Sequence, residues 1–151
     1  MGFVLDADAD PEHRWQAVRQ RLDDIDLVLP EDIPDRGFVG NTTAYQARVG
    51  VWLMPDNQRS GALEEFLMGL VANEDRRLLL LARAATRGAL WLGAALGKAR
   101  RRKAVLHAWL AWQRRPGLPY GTAITARYIG HDSPAALRFV EWFQRVFDRR
   151  R

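Results

Sequence analysis

An α/β fold is the class this sequence predicts, and three observations carry it. The chain opens on a short apolar run, Phe3-Val4-Leu5, that stops at acidic residues. A capped segment with apolar residues at helical spacing comes next, and two further apolar runs lead into a second helical segment. Strand, helix, strand, helix is the order in which partly parallel sheets are built. From about residue 75 the pattern turns helical and basic, so the expected architecture is a partly parallel sheet with a helical, basic C-terminal half.

Each element has a local reason. In "GFVLDADAD", residues 3–8 read as a short, fully apolar strand of the kind buried in a parallel sheet. In "DPEHRWQAVRQRLDDI", Asp10 suits the N-cap and Pro11 the first helical position, while Trp15, Val18 and Leu22 recur at helical spacing. "GFVGN" at 37–41 is a second strand, and "RVGVWLMPDN" at 48–57 a third, ended by Pro55. "SGALEEFLMGLV" begins another helix with Leu63, Phe66, Leu67 and Leu70 on one face. Helices follow near 75–96, 98–113 and 133–147, the last with a clear start at Ser133-Pro134. "RRPGLPYG" at 114–121 is a turn-rich break, and "TAITARYI" at 122–129 fits strand and helix alike. There is no internal repeat and no low-complexity linker, so residues 1–151 read as a single domain.

Composition narrows the function classes. Hydrophobic residues make up 48% of the chain, enough for a real core. The absence of cysteine excludes a disulfide framework and a thiolate zinc site, and fits a reducing, cytoplasmic setting. The longest apolar stretch, "GALWLGAALG" at 88–97, is too short to span a bilayer, so no membrane is expected among the partners. Met1 is followed by no basic n-region or cleavage site, so no secretory signal is expected and the Asn41-Thr42-Thr43 sequon is set aside. Charge is unevenly placed: residues 1–75 carry 6 Arg/Lys and 15 Asp/Glu, and residues 76–151 carry 17 and 3. Either the two halves match each other, or an acidic metal-binding centre is flanked by a basic track for a polyanion such as nucleic acid.

The acidic candidates begin with Asp6 and Asp8. Strand side chains alternate, so these two point the same way at the carboxyl end of the first strand. That is the edge where open α/β sheets place ligands. Two like charges on one face repel unless a cation or proton lies between them. Magnesium or manganese, hard cations that take oxygen ligands, would resolve the repulsion. A solvated turn with a capping residue also explains the pattern, and Asp10 is better explained as the cap than as a ligand. If the strand over 48–57 is parallel to the first, it brings Asp56 and Asn57 to the same edge. The following helix offers Glu64, on the border of the apolar stripe, and Glu65, which points to water. Glu64 is therefore the better ligand, although an acidic residue in a first turn also serves the helix dipole. In "KARRRKAVLHAWLAWQRR", Val105, Trp109 and Trp112 form a core face, with Lys103 and His107 opposite. Lys103, His107 and the run Arg100-Arg101-Arg102 suit phosphate contacts or an ordinary solvated helix face. His13 and His131 have no zinc-like pattern around them.

Several stretches together, "VLDADAD", "RWQAVRQRL", "RVGVWLMPDNQRSGALEEFL", "KAVLHAWLAWQRRPGLPYGTAITARYI" and "LRFVEWFQRVF", resemble a bacterial family numbered 3226 among the domains of unknown function. The resemblance runs over nearly the whole chain. It implies a Toprim-like, Rossmannoid fold related to the nuclease domain of the overcoming-lysogenisation-defect family, and metal-dependent phosphodiester chemistry, with a role in phage defence. The Toprim DxD pair maps onto Asp6 and Asp8, a further acidic position onto Glu64, and an assisting lysine onto Lys103. The Toprim glutamate strand, in a sequence such as VEGxDD, should come several dozen residues before the DxD strand, whereas this chain starts just ahead of it. The resemblance thus assigns the chain to a C-terminal portion of the family domain without that glutamate, so it has the skeleton of a nuclease site and can be inactive as a fragment. Two other readings stand beside it. One is a haloacid-dehalogenase-like phosphatase with Asp6 as nucleophile and Asp8 as acid–base, although that class wants Thr or Val where this chain has Asp10. The other is a non-catalytic binding subunit, such as the partner of an ATPase or a homo-oligomer.

Overall fold

The computed structural model describes residues 1–148. The fold is mixed α/β, as the sequence predicts. The chain divides into two compact units, one formed by Met1–Phe66 and the chain from Pro134 onward, the other by Leu67–Ser133.

The first unit is built on a three-stranded sheet of β1 (Gly2–Asp6), β2 (Phe38–Thr42) and β3 (Ala47–Met54), in the order β1-β3-β2. β1 runs parallel to β3 in the register Gly2↔Gly50 through Asp6↔Met54, and β2 runs antiparallel to β3. β3 is the central strand, with Val49 to Met54 all buried. Alternate residues serve two faces. Val49, Val51 and Leu53 join Trp15, Val18 and Leu22 of α1 (Pro11–Asp23), together with Leu27 and Leu29, in one hydrophobic cluster. On the other face Trp52 meets Phe139 and Trp142 of α6 (Pro134–Phe147) at ring separations of 5.4 and 5.7 Å. A central strand covered on both sides has no water-facing residue to alternate, hence its continuous apolar run.

β1 differs from its expected form. It spans Gly2–Asp6 rather than 3–8, and its burial alternates, leaving Val4 45% exposed. The reason is topological: β1 lies at the sheet edge with a single strand neighbour, and three apolar residues in sequence do not tell an edge strand from a central one.

α1 forms as its cap signals require. The Asp10 side chain accepts the backbone N–H of His13 at 3.0 Å, and Pro11 takes the first position. α2 (Leu63–Gly69) starts in the first unit, and its residues from Leu67 on are counted with the second.

In the second unit α3 (Arg76–Trp91) packs on α4 (Arg101–Ala111), and α5 (Tyr120–Thr125) follows the turn-rich segment. Its core includes Leu79, Ala82, Val105, Leu106, Trp109, Leu110, Ala123 and Ile129. The segment that fitted strand and helix alike is thus helical over its first residues. Trp112 is 44% exposed instead of joining the Trp109 face, because α4 ends at Ala111 and Trp112 falls on the cap. No described helix is long and apolar enough to cross a membrane.

Candidate functional site

The carboxyl ends of β1 and β3 lie side by side because the two strands are parallel and in register, Asp6 opposite Met54. Beyond Asp6 the chain leaves strand geometry. Asp8 takes a left-handed conformation, φ +56°, and makes an isolated antiparallel bridge with Gly61. Two short bonds hold it: Asp8 N–H to the Gly61 carbonyl at 2.8 Å, and Gly61 N–H to the Asp8 carbonyl at 2.7 Å. Asp6 and Asp8 are both exposed, and Ala7 between them is 1% exposed. The strand alternation expected to point Asp6 and Asp8 the same way therefore stops at Asp6, the last residue of β1, and the bridge to Gly61 sets the Asp8 backbone instead; both side chains are exposed.

Each carboxylate also has a protein partner. Asp6 Oδ1 accepts the backbone N–H of Leu63 at 2.9 Å, satisfying an orphan donor at the start of α2. Asp8 pairs with Arg14, whose side chain reaches back from the first turns of α1; both partners are substantially exposed. Asp10 is the cap of α1. A shallow hollow of about 240 Å³ beside Asp8 is lined by Asp10, His13 and Arg14.

Glu65 takes a role other than the one expected, which had it pointing to water. Glu64 and Glu65 are both half-buried, and it is Glu65 whose Oε2 turns back to accept the Ala62 N–H at 2.9 Å. That is one half of a capping box, and the pull of an unsatisfied helix-start N–H outweighs the outward direction that helical spacing gives. Among the described residues no group of three His, Cys, Asp or Glu side chains converges on a position for a metal ion.

The end of β3 is a closed structural loop. Asn57, 2% exposed, accepts the Leu53 N–H at 2.8 Å and donates to the Asp35 carbonyl at 3.3 Å. Asp56 accepts from the N–H groups of Gln58 and Arg59 at 3.2 and 2.9 Å and from Arg59 Nε at 2.7 Å. Burial alone would raise the Asp56 pKa, but these bonds outweigh it and hold the carboxyl below the ordinary aspartate range. Among the lowering bonds the Arg59 N–H comes first, then the Arg59 side chain and the Gln58 N–H, while the charge of largely exposed Arg59, screened by water, contributes least. A depressed folded pKa stabilises the loop above the unfolded value and loses that contribution as pH falls through the folded one. Asp56→Asn should therefore cost about 1–2 kcal/mol at pH 7, a gap that narrows on acidification below the usual aspartate pKa. Urea midpoints of both proteins at pH 7 and pH 3 check it; a pH-independent gap would locate the effect elsewhere.

The basic candidates lie in the second unit. Arg101, Arg102 and Lys103 form the first turn of α4, with Arg100 before them, and all four are exposed. His107, one turn on, is exposed and lies against Tyr120, Nε2 to Oη 3.4 Å and ring centres 5.4 Å apart. The Arg14 contact escaped sequence reasoning. Its signal was available, since Arg14 lies one turn into the helix that Asp10 caps.

The first unit defines a class: an α/β domain with exposed carboxylates at the carboxyl end of a parallel strand pair. The chain belongs to the family described as "Protein of unknown function (DUF3226)", which it matches over residues 1–148. No curated protein and no solved structure matches it.

Proposed function

We propose that this chain carries a Toprim-like, Mg²⁺-dependent site for nucleic-acid phosphodiesters at the β1 edge, with Asp6 and Asp8 as ligands and Glu64 in support. The observation that carries it is the pair of exposed aspartates flanking buried Ala7, with the Asp8 backbone held by the bridge to Gly61. The donor set suits magnesium, which is commonly held by one or two carboxylates, several waters and a substrate phosphate. Asp6 uses Oδ1 for the cap and keeps Oδ2. The Arg14–Asp8 pair is solvent-exposed, and such pairs are worth roughly 0–1 kcal/mol, so a divalent cation displaces Arg14 at little cost. When bound, the metal would polarise a phosphate and activate water for in-line attack. Asp6 and Asp8 would hold the ion, and Arg14, beside the hollow, would be a cation for the incoming phosphate. The exposed Arg100, Arg101, Arg102, Lys103 and His107 hold the polyanion in this reading.

A second reading, a non-catalytic binding subunit, draws on the structural duties of the same aspartates: Asp6 caps α2, Asp8 pairs with Arg14 and Asp10 caps α1. Calorimetric titration with Mn²⁺ decides between them. The wild type should bind, and Asp8→Asn should bind at least tenfold more weakly with little change in melting temperature, since only a surface ion pair is lost. Equal titration of both proteins, or no binding by the wild type, favours the second reading.

A further inference from the structure

At the opposite end of the central strand lies an open cavity of about 570 Å³, lined by Arg36, Arg48, Arg138, Arg145, Glu141 and Asp148, with Gln144. Arg48 is the second residue of β3, and Met54 at the other end neighbours Asp6. Six residues of strand at about 3.3 Å each put roughly 20 Å between the cavity and the aspartate edge. The two are separate sites.

Two of the four guanidinium groups are anchored. Arg48 Nη1 donates to the carbonyls of Arg145 and Asp148, at 2.9 and 3.2 Å, at the end of α6. Arg145 Nη2 donates to the Arg36 and Gly37 carbonyls, the latter at 3.2 Å. In each, one terminal nitrogen is tied to backbone, which restrains the fork, and among the described residues the other terminal nitrogen and Nε have no hydrogen-bond acceptor. Arg36 and Arg138 make no side-chain hydrogen bond or ion pair among the described residues, so their donors are open. Four arginines against Glu141 and Asp148 leave a net charge near +2. Planar guanidinium forks match phosphate oxygens two at a time. The volume falls in the range of small-molecule sites, roughly 300–1,000 Å³.

We infer that this cavity binds a compact, multiply charged phosphate ligand of the nucleoside polyphosphate class. The four arginines take the phosphates, and Glu141 accepts from a hydroxyl or amino group of the nucleoside. Glu141 also argues against an extended phosphodiester backbone, which offers one charge per residue and few donors to meet it.

The test titrates the full chain with ATP, inorganic triphosphate and a short oligo-dT strand, all in EDTA so that no divalent metal reaches the aspartate edge. Arg36→Gln combined with Arg138→Gln removes open donors and no structural bond. Wild type should bind ATP, and this double variant at least tenfold more weakly at an unchanged melting temperature. Asp8→Asn should bind ATP like wild type, so failure here is distinguishable from failure of the metal site. Absence of ATP binding, equal binding by wild type and the double variant, or tighter binding of oligo-dT than of ATP with the same arginine dependence overturns the assignment.

Discussion

Trp142→Ala should lower the stability of the chain by about 3–5 kcal/mol, the usual cost of deleting a buried large aromatic. Trp142 is 1% exposed and closes the α6 face of the sheet. Its indole N–H donates to the Phe38 carbonyl at 3.0 Å, and its ring lies 5.7 Å from Trp52 and 5.5 Å from Phe139. Two glycines make room for this helix. A Cβ on Gly37 would come within 2.6 Å of Trp142, and one on Gly50 within 2.1 Å of Val146. Gly37 is also left-handed, φ +68°, where a side chain is strained. The seat is therefore shaped for the indole, and neighbours held by the sheet cannot collapse into the space it leaves. Against a typical domain stability of roughly 5–15 kcal/mol, the loss leaves the fold marginal. Trp142→Phe keeps most of the ring and loses the bond to Phe38, so it should cost less. Urea denaturation of the three proteins ranks them; a loss below about 0.5 kcal/mol for the alanine variant, the scale of an ordinary surface change, would show that α6 does not anchor the sheet.

The sequence makes some elements legible and hides others for physical reasons. α1 is legible because its start signals, Asp10 and Pro11, act on their own neighbours. β3 is legible in kind because a central strand leaves a continuous apolar run, and α6 because Ser133-Pro134 marks its start. The end of β1 is not: Asp8 is turned out of the strand by Gly61, a partner distant in the chain. Asp6 likewise spends one oxygen on Leu63, a contact that no local pattern announces. Glu65 follows a backbone donor where spacing points it to water. The arginine cavity is the least legible feature, since Arg36, Arg48 and the α6 residues come from three places and none belongs to a motif.

If the chain binds nucleic acid as proposed, reversing charge at Arg100, Arg101 and Lys103 should weaken that binding by roughly 100-fold or more at 0.1 M salt, and reduce the salt slope by about three, because each lost phosphate contact retains its counterion. The same variant should be as stable as wild type or more so. α4 begins with Arg100 in the cap position, without a side-chain capping bond, followed by Arg101, Arg102 and Lys103. Cations at a helix start oppose the macrodipole, at about 0.3–1 kcal/mol each, and no acidic residue in that turn offsets them. A turn that breaks the local rule for helix stability points to a use outside the helix, and a phosphate chain at a positive helix start is such a use. Glutamates at the three positions would agree with the dipole while repelling the polyanion. If instead the basic residues serve to match the acidic half of the chain, the reversal should lower the melting temperature. Gel-shift titrations at two salt concentrations, run beside thermal melts of the same variant, separate the two. Unchanged affinity with a lowered melting temperature would remove α4 from the nucleic-acid surface, and with it the phosphodiester substrate proposed for the aspartate edge would lose its second support.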